Sequence, residues 1–254
     1  MPTKSAFLYA AALLFGILQA CAPRQLEKTY PAPRTERQYT KAVSAAADPQ
    51  PDKVYRSLLP IAAANTELRR KMIDGQEYVL VSSWKDDTTY YRNDSLTGFY
   101  NTGDYPIWVT AAPQLQDICS AQQFGRREGV DLRLKQLFGM PPTVSKRYFV
   151  EFWVKPEDLY RPCPDPEVDD AECGLAFTER STSEHQEWIT AQRKVSYSNP
   201  KWNDNYPWTQ LGYTYDWNPR NRSKIGLSEF VIGQNKFVVV NKVYTTAAYC
   251  GATL

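Results

Sequence analysis

The chain has 254 residues, with 30 Lys or Arg against 28 Asp or Glu and a formal net charge of +2. So even a balance offers no basic field to gather phosphates, which argues against nucleic acid as a partner. A single histidine and five cysteines leave little material for metal or imidazole chemistry, and no cofactor is expected.

The first twenty residues, MPTKSAFLYAAALLFGILQA, place Lys4 before an apolar run from about Ala6 to Leu18. That run is short for a bilayer span and has the layout of a secretory signal. It ends in Leu18-Gln19-Ala20-Cys21, which resembles the lipobox of bacterial lipoproteins. The resemblance implies cleavage before Cys21, a lipid (palmitate-type acylation included) on that residue, and attachment to the membrane of the cell envelope. Acyl chains contribute about 0.8 kcal/mol per buried methylene. Ala22, where an Asp would retain such a protein at the inner membrane, implies the outer membrane, facing the periplasm or the surface. Residues 21–50 mix Pro, charge and Ala and read as a flexible tether, with a short helix over 35–47 as the alternative.

From residue 51 to 254 the pattern predicts one domain of α+β class, mostly antiparallel sheet with several short helices. DKVYRSLL (52–59) reads as a short helix broken by Pro60, and NTELRRKM (65–72) as a second helix capped by Asn65. EYVLVSSW (77–84) and YPIWVTAA (105–112) have strand character, with a polar, turn-rich loop or hairpin between them. After Pro113, Leu115, Ile118, Cys119 and Gln122 follow helical spacing. Another helix over 129–138 ends at Gly139 before Pro141 and Pro142. KRYFVEFWV (146–154) is a strand by composition, and PEDLY supplies one helical turn. Ser181 and Glu184 form a capping box that opens a helix carrying Trp188 and Ala191 on one side. WTQLGYTYDW, SEFVIG and KFVVVNKVYT read as three strands, the last two joined at GQN as a tight hairpin.

Four cysteines remain for the folded part, and an even number in an exported chain suggests disulfides. Three pairings are open; Cys163 with Cys173 and Cys119 with Cys250 are favoured, the first closing CPDPEVDDAEC. Zinc is disfavoured, because no CxxC spacing occurs and the chain has one His. The carboxylates of the cysteine loop, Asp165, Glu167, Asp169, Asp170 and Glu172, read as a solvated acidic loop, since the order of calcium ligands in an EF-hand is missing.

No nucleophile elbow, zinc-protease or phosphate-binding motif is present. His185 falls in the first turn of its helix, where the positive end of the dipole disfavours an imidazolium. In YFVEFWV, alternation puts Glu151 between Phe149 and Trp153 on one face. A sugar hydrolase needs such a carboxyl beside rings, and a second one opposite; Asp216 and Glu229 are the candidates. In LGYTYDW, Leu211, Tyr213, Tyr215 and Trp217 alternate as a core stripe. Upstream, Trp202, Tyr206 and Trp208 have no period, and large rings on a polar loop suggest either a cap on the edge of the core or a ligand shelf. The expectation is a lipid-anchored, non-enzymatic binding or assembly domain whose partner is an envelope protein or a cell-wall glycan. A carbohydrate-active hydrolase built on Glu151, Asp216 and Glu229 is the alternative.

Overall fold

The structure, a computed structural model, describes residues 32–121 and 123–251. The expected signal, Cys21, the first part of the tether and Gln122 lie outside the described residues. Among the described residues, no helix is long and apolar enough to cross a membrane.

The fold is α+β. In chain order the elements are α1 (Ala32–Ala46), β1 (Arg70–Ile73), β2 (Gln76–Lys85), β3 (Tyr100–Asn101), β4 (Ile107–Ala111), α2 (Ala112–Ser120), α3 (Val130–Leu137), β5 (Tyr148–Val154) and β6 (Leu159–Tyr160). They continue with α4 (Ser183–Tyr197), β7 (Tyr213–Tyr215), β8 (Ile225–Ser228), β9 (Phe230–Ile232), β10 (Phe237–Thr245) and α5 (Thr246–Tyr249). The main sheet runs β3-β10-β5-β2-β4-β9-β6, with β1 added to β2 and β7 paired separately with β8. All the pairings described are antiparallel.

Period-2 alternation sorts β5 as its sequence requires. Val150, Phe152 and Val154 join Val79, Val81, Val109, Phe230 and Ile232 in the inner core. Phe149 on the other face meets Trp84, Leu115, Leu134 and Tyr249, so helices α2, α3 and α5 cover that side. The favoured disulfides form: Cys119 with Cys250 and Cys163 with Cys173, at Cα separations of 4.9 and 6.6 Å. The first ties the end of α2 to the residue after α5.

The tight hairpin expected at GQN is absent, because β9 pairs with β4 and β6 while β10 pairs with β5 and β3. Four strand spacings separate β9 from β10, about 19 Å in a flat sheet. Residues 233–236, including Asn235 at φ 54, cannot extend fully over that distance, so the sheet curls around its inner core.

The two N-terminal helices expected from sequence also fail to form. Beyond a single turn at Pro51–Lys53, residues 54–61 form neither helix nor strand. Leu58 N donates to Ala171 O at 2.8 Å and Ile61 N to Val168 O at 2.6 Å, so this backbone is satisfied by the cysteine loop. Burial of Leu58, Leu59 and Ile61 outweighs local helix propensity. Asn65 accepts from Glu67 N at 3.0 Å and thus closes an Asx turn, after which residues 70–73 become β1. The capping box is displaced by one residue. Thr182, not Ser181, caps α4 by accepting from His185 N, while the Ser181 hydroxyl donates to Pro164 O at 2.6 Å.

Residues 32–46, expected to be part of a tether, are helical and docked. Tyr39 is fully buried and Ala42 nearly so, both packed with Trp217. The stretch expected as a strand at 208–217 keeps only three strand residues, since Gln210 and Gly212 take positive φ (62° and 74°). Gly212 is required there, because a Cβ would stand 2.9 Å from Leu58 Cδ1. The alternating stripe is buried but divided: Leu211 and Tyr213 join one cluster, Tyr215 and Trp217 another. Thr214 and Asp216 are buried too, so this segment has no solvent face.

Candidate functional site

On the helix-covered side of β2 and β4 lies a cavity of about 600 Å³, within the usual range for small-ligand sites. Its base is the C-terminal end of β2 (Ser83–Lys85), Asp86 and the start of β4, where Trp108 points away from the inner core to which Ile107 and Val109 belong. Trp84 stacks on Phe149 and Phe138 at centroid distances of 5.8 and 5.9 Å, and its Nε1 donates to Thr246 Oγ1 at 2.9 Å. That ring is held from two sides.

One wall is α4, which presents Gln192, Val195 and Ser196, the spacing of a single helix face. Rings fasten this helix to the sheet. Trp188 lies 5.9 Å from Trp108 and 5.2 Å from Tyr160, while His185 Nε2 bonds to Cys163 O at 2.8 Å. The histidine is therefore used to join α4 to the cysteine loop and is not among the cavity residues. The opposite wall follows α3: Phe138, Gly139 and Met140, then Val144 to Lys146. At Gly139 (φ +64) a Cβ would meet Pro207 and Tyr215 O at 3.3 Å, so glycine lets the two walls approach.

The back of the cavity comes from Tyr206, Pro207, Trp208, Tyr215 and Glu229. Tyr206 N donates to Ser196 O at 2.8 Å; Trp208 Nε1 donates to Pro162 O at 2.9 Å, and Tyr197 Oη donates to Trp208 O. Glu229 sits between β8 and β9, its N–H on Gly212 O at 3.0 Å. Its side chain is partly exposed, toward the cavity, yet protein surrounds it closely enough that burial pushes the carboxyl up to about 8.

Two of the three ring residues expected at a ligand shelf, Tyr206 and Trp208, line this cavity. Trp202 does not; it packs edge-on against Tyr39. The three candidate carboxylates are likewise dispersed. Glu229 alone lines the cavity. Asp216 is 1% exposed and gripped by both terminal nitrogens of Arg133, at 3.0 and 2.7 Å. Glu151, on an interior strand, accepts from Asn241 at 2.7 Å, and burial raises its pKa. The second carboxylate of the cavity is Asp86, 3.3 Å from Lys146. Its own backbone N–H and that lysine hold it below the usual carboxylate range.

Sequence reading missed Trp84, Trp108 and Phe138. The alternation of Ile107, Trp108 and Val109 marks Trp108 as outward-facing, which was the available signal. In the cysteine loop the carboxylates pair with arginines: Glu167 with Arg180 at 2.9 Å, which also reaches Asp169 at 3.8 Å, Glu172 with Arg56 at 3.0 Å, and Asp170 with the buried Arg161 at 3.7 Å. Among the described residues no group of three or more His, Cys, Asp or Glu is placed to hold a metal ion. No protein-family model, curated protein or solved structure matches this chain.

Proposed function

We propose that the protein is a lipid-anchored component of a bacterial envelope whose folded domain binds a cell-wall glycan in the cavity between α3 and α4. The observation that carries this reading is the composition of the cavity wall. Six aromatic side chains (Trp84, Trp108, Phe138, Tyr206, Trp208 and Tyr215) stand beside Ser83, Thr110, Gln192 and Ser196. Rings offer flat apolar faces to the C–H surface of a sugar, and hydroxyl and amide groups between them satisfy its hydroxyls. The lipobox at Leu18–Cys21 supports an envelope location, where such polymers are the abundant ligands.

The binding reading is tested by titrating the purified soluble domain with N-acetylglucosamine oligosaccharides and peptidoglycan fragments while following tryptophan fluorescence. Tyr206 is 36% exposed, so Tyr206→Ala removes a ring with little cost to the core. Loss of one stacking ring should weaken binding about tenfold. Saturable binding unchanged in that variant would remove the cavity from the argument. The anchor has its own test, the intact mass of residue 21 in membrane-extracted protein, where an unmodified cysteine would sink it.

A further inference from the structure

Glu229 is the carboxyl on the cavity wall that the protein leaves without a hydrogen-bond or ion-pair partner among the described residues. Asp86, the other one, is neutralised at the rim by Lys146. Aromatic rings line the same cavity, and their faces carry partial negative charge. They disfavour an anion and attract a cation.

We propose that the cavity recognises its glycan through a protonated amino group, with the Glu229 carboxylate as counter-ion and the rings that line the cavity contributing cation–π attraction. This rests on the glycan-binding reading above. A neutral sugar would gain one hydrogen bond from Glu229; an ammonium gains that bond, a charge pair and the ring faces. With no cation beside it, the carboxyl is protonated at neutral pH because burial raises its pKa to about 8. An ammonium stabilises the ionised form, so the carboxyl proton is released to solvent as the ligand enters.

The cationic groups near the cavity, Lys85 and Lys146 of its lining included, are each engaged by a protein group. From β2, the Lys85 ammonium lies 5.3 Å over the ring of Tyr91, which packs on the inner core and is not a cavity residue. Lys146, from the segment before β5, is held by Asp86. Arg193 of α4 donates to Gln210 at 2.5 Å. Tyr197, Tyr206 and Tyr215 all have their phenols raised by burial and stay neutral.

The test compares two oligosaccharides with the same ring faces and chain length, one of glucosamine and one of N-acetylglucosamine, by calorimetry at about pH 6, where the sugar amines are charged. The expected result is tenfold or greater preference for the glucosamine oligomer. Calorimetry in two buffers of different ionisation enthalpy should show close to one proton released per site. Glu229→Gln should abolish both the preference and the proton release. Equal affinity for the two sugars, or a preference that survives Glu229→Gln, overturns the amine assignment and leaves the glycan reading standing. Failure of both sugars to bind overturns the glycan reading and this proposal with it.

Discussion

The ring of Tyr39 meets that of Trp202 edge-on with centroids 6.0 Å apart, and meets Trp217 in the same manner at 5.8 Å. Its hydroxyl donates to Asn205 O at 2.6 Å. A helix from the expected tether thereby occupies the ring surface at Trp202. A large ring on a polar loop must pack on something, and the partner of Trp202 is the chain's own N-terminal helix.

Tyr39→Ala should therefore undock α1 at a cost of about 3–5 kcal/mol, the usual range for deleting a buried ring. Tyr39→Phe, which loses the hydroxyl's short bond to Asn205 O and its long one to Gly139 O at 3.5 Å, should cost about 1 kcal/mol. Hydrogen exchange checks this directly. In the alanine variant, amides of residues 32–46 should exchange rapidly while those of β5 keep their protection.

What the sequence made legible follows from how local each signal is. Strands β2, β5 and β10 carry their own alternation or β-branched runs, and each emerged within a residue or two of its expected bounds. Helices α2 and α3 were marked by Pro113 and Gly139. The segment at 52–59 was misread because its backbone partner Ala171 lies over a hundred residues away, and the one at 65–72 because residues 70–73 pair as a strand with the neighbouring β2. The cavity is assembled from residues near positions 84, 108, 139, 195, 207 and 229, and no window of sequence contains more than one of its walls. Tyr206, Trp208 and Glu229 could be singled out by chemistry, but their meeting could not.

The pair Arg133–Asp216 joins α3 to the end of β7, and so fixes the Tyr215 side of the cavity. Asp216 also accepts from Asn221 Nδ2 at 2.9 Å and from Asn218 N at 3.0 Å, so it is a fully engaged buried anion. Arg133→Met should cost about 3–5 kcal/mol by leaving that charge uncompensated. Replacing both partners, Arg133→Met with Asp216→Leu, should cost less than the single change. A double-mutant cycle read by urea unfolding measures the difference; simple additivity would show that the pair is not coupled.

The two disulfides should differ in worth. Cys119 and Cys250 are 131 residues apart, Cys163 and Cys173 only 10. Chain entropy assigns about 5 kcal/mol to the former closure and ~2–3 kcal/mol to the latter. Double Cys→Ser variants melted under identical conditions should rank in that order. The shorter bridge has a second role, since Pro162 O and Cys163 O hold Trp208 and His185. Its removal should also alter tryptophan emission from the cavity wall.

Glu229 sets the sign of one term in the pH dependence of stability. Its folded pKa of about 8 lies above the ordinary 4.5 of the unfolded chain. Between those values the folded state holds a proton that the unfolded state has lost, so this group's contribution falls as pH rises through the window and levels off above about 8. The full shift bounds the effect at about 5 kcal/mol. Water reaching the carboxyl through the cavity screens it, so the effect falls below that bound. Other carboxyls, Glu151 and Asp170 included, are raised by burial as well, so the wild-type profile alone does not isolate Glu229. The difference between wild type and Glu229→Gln does. Chemical denaturation across the range should give equal stability for the two proteins near pH 4, where both side chains are neutral, and a progressively more stable glutamine variant up to about pH 8. A difference that is flat with pH would mean that Glu229 titrates as an ordinary carboxylate, open to water and needing no counter-ion.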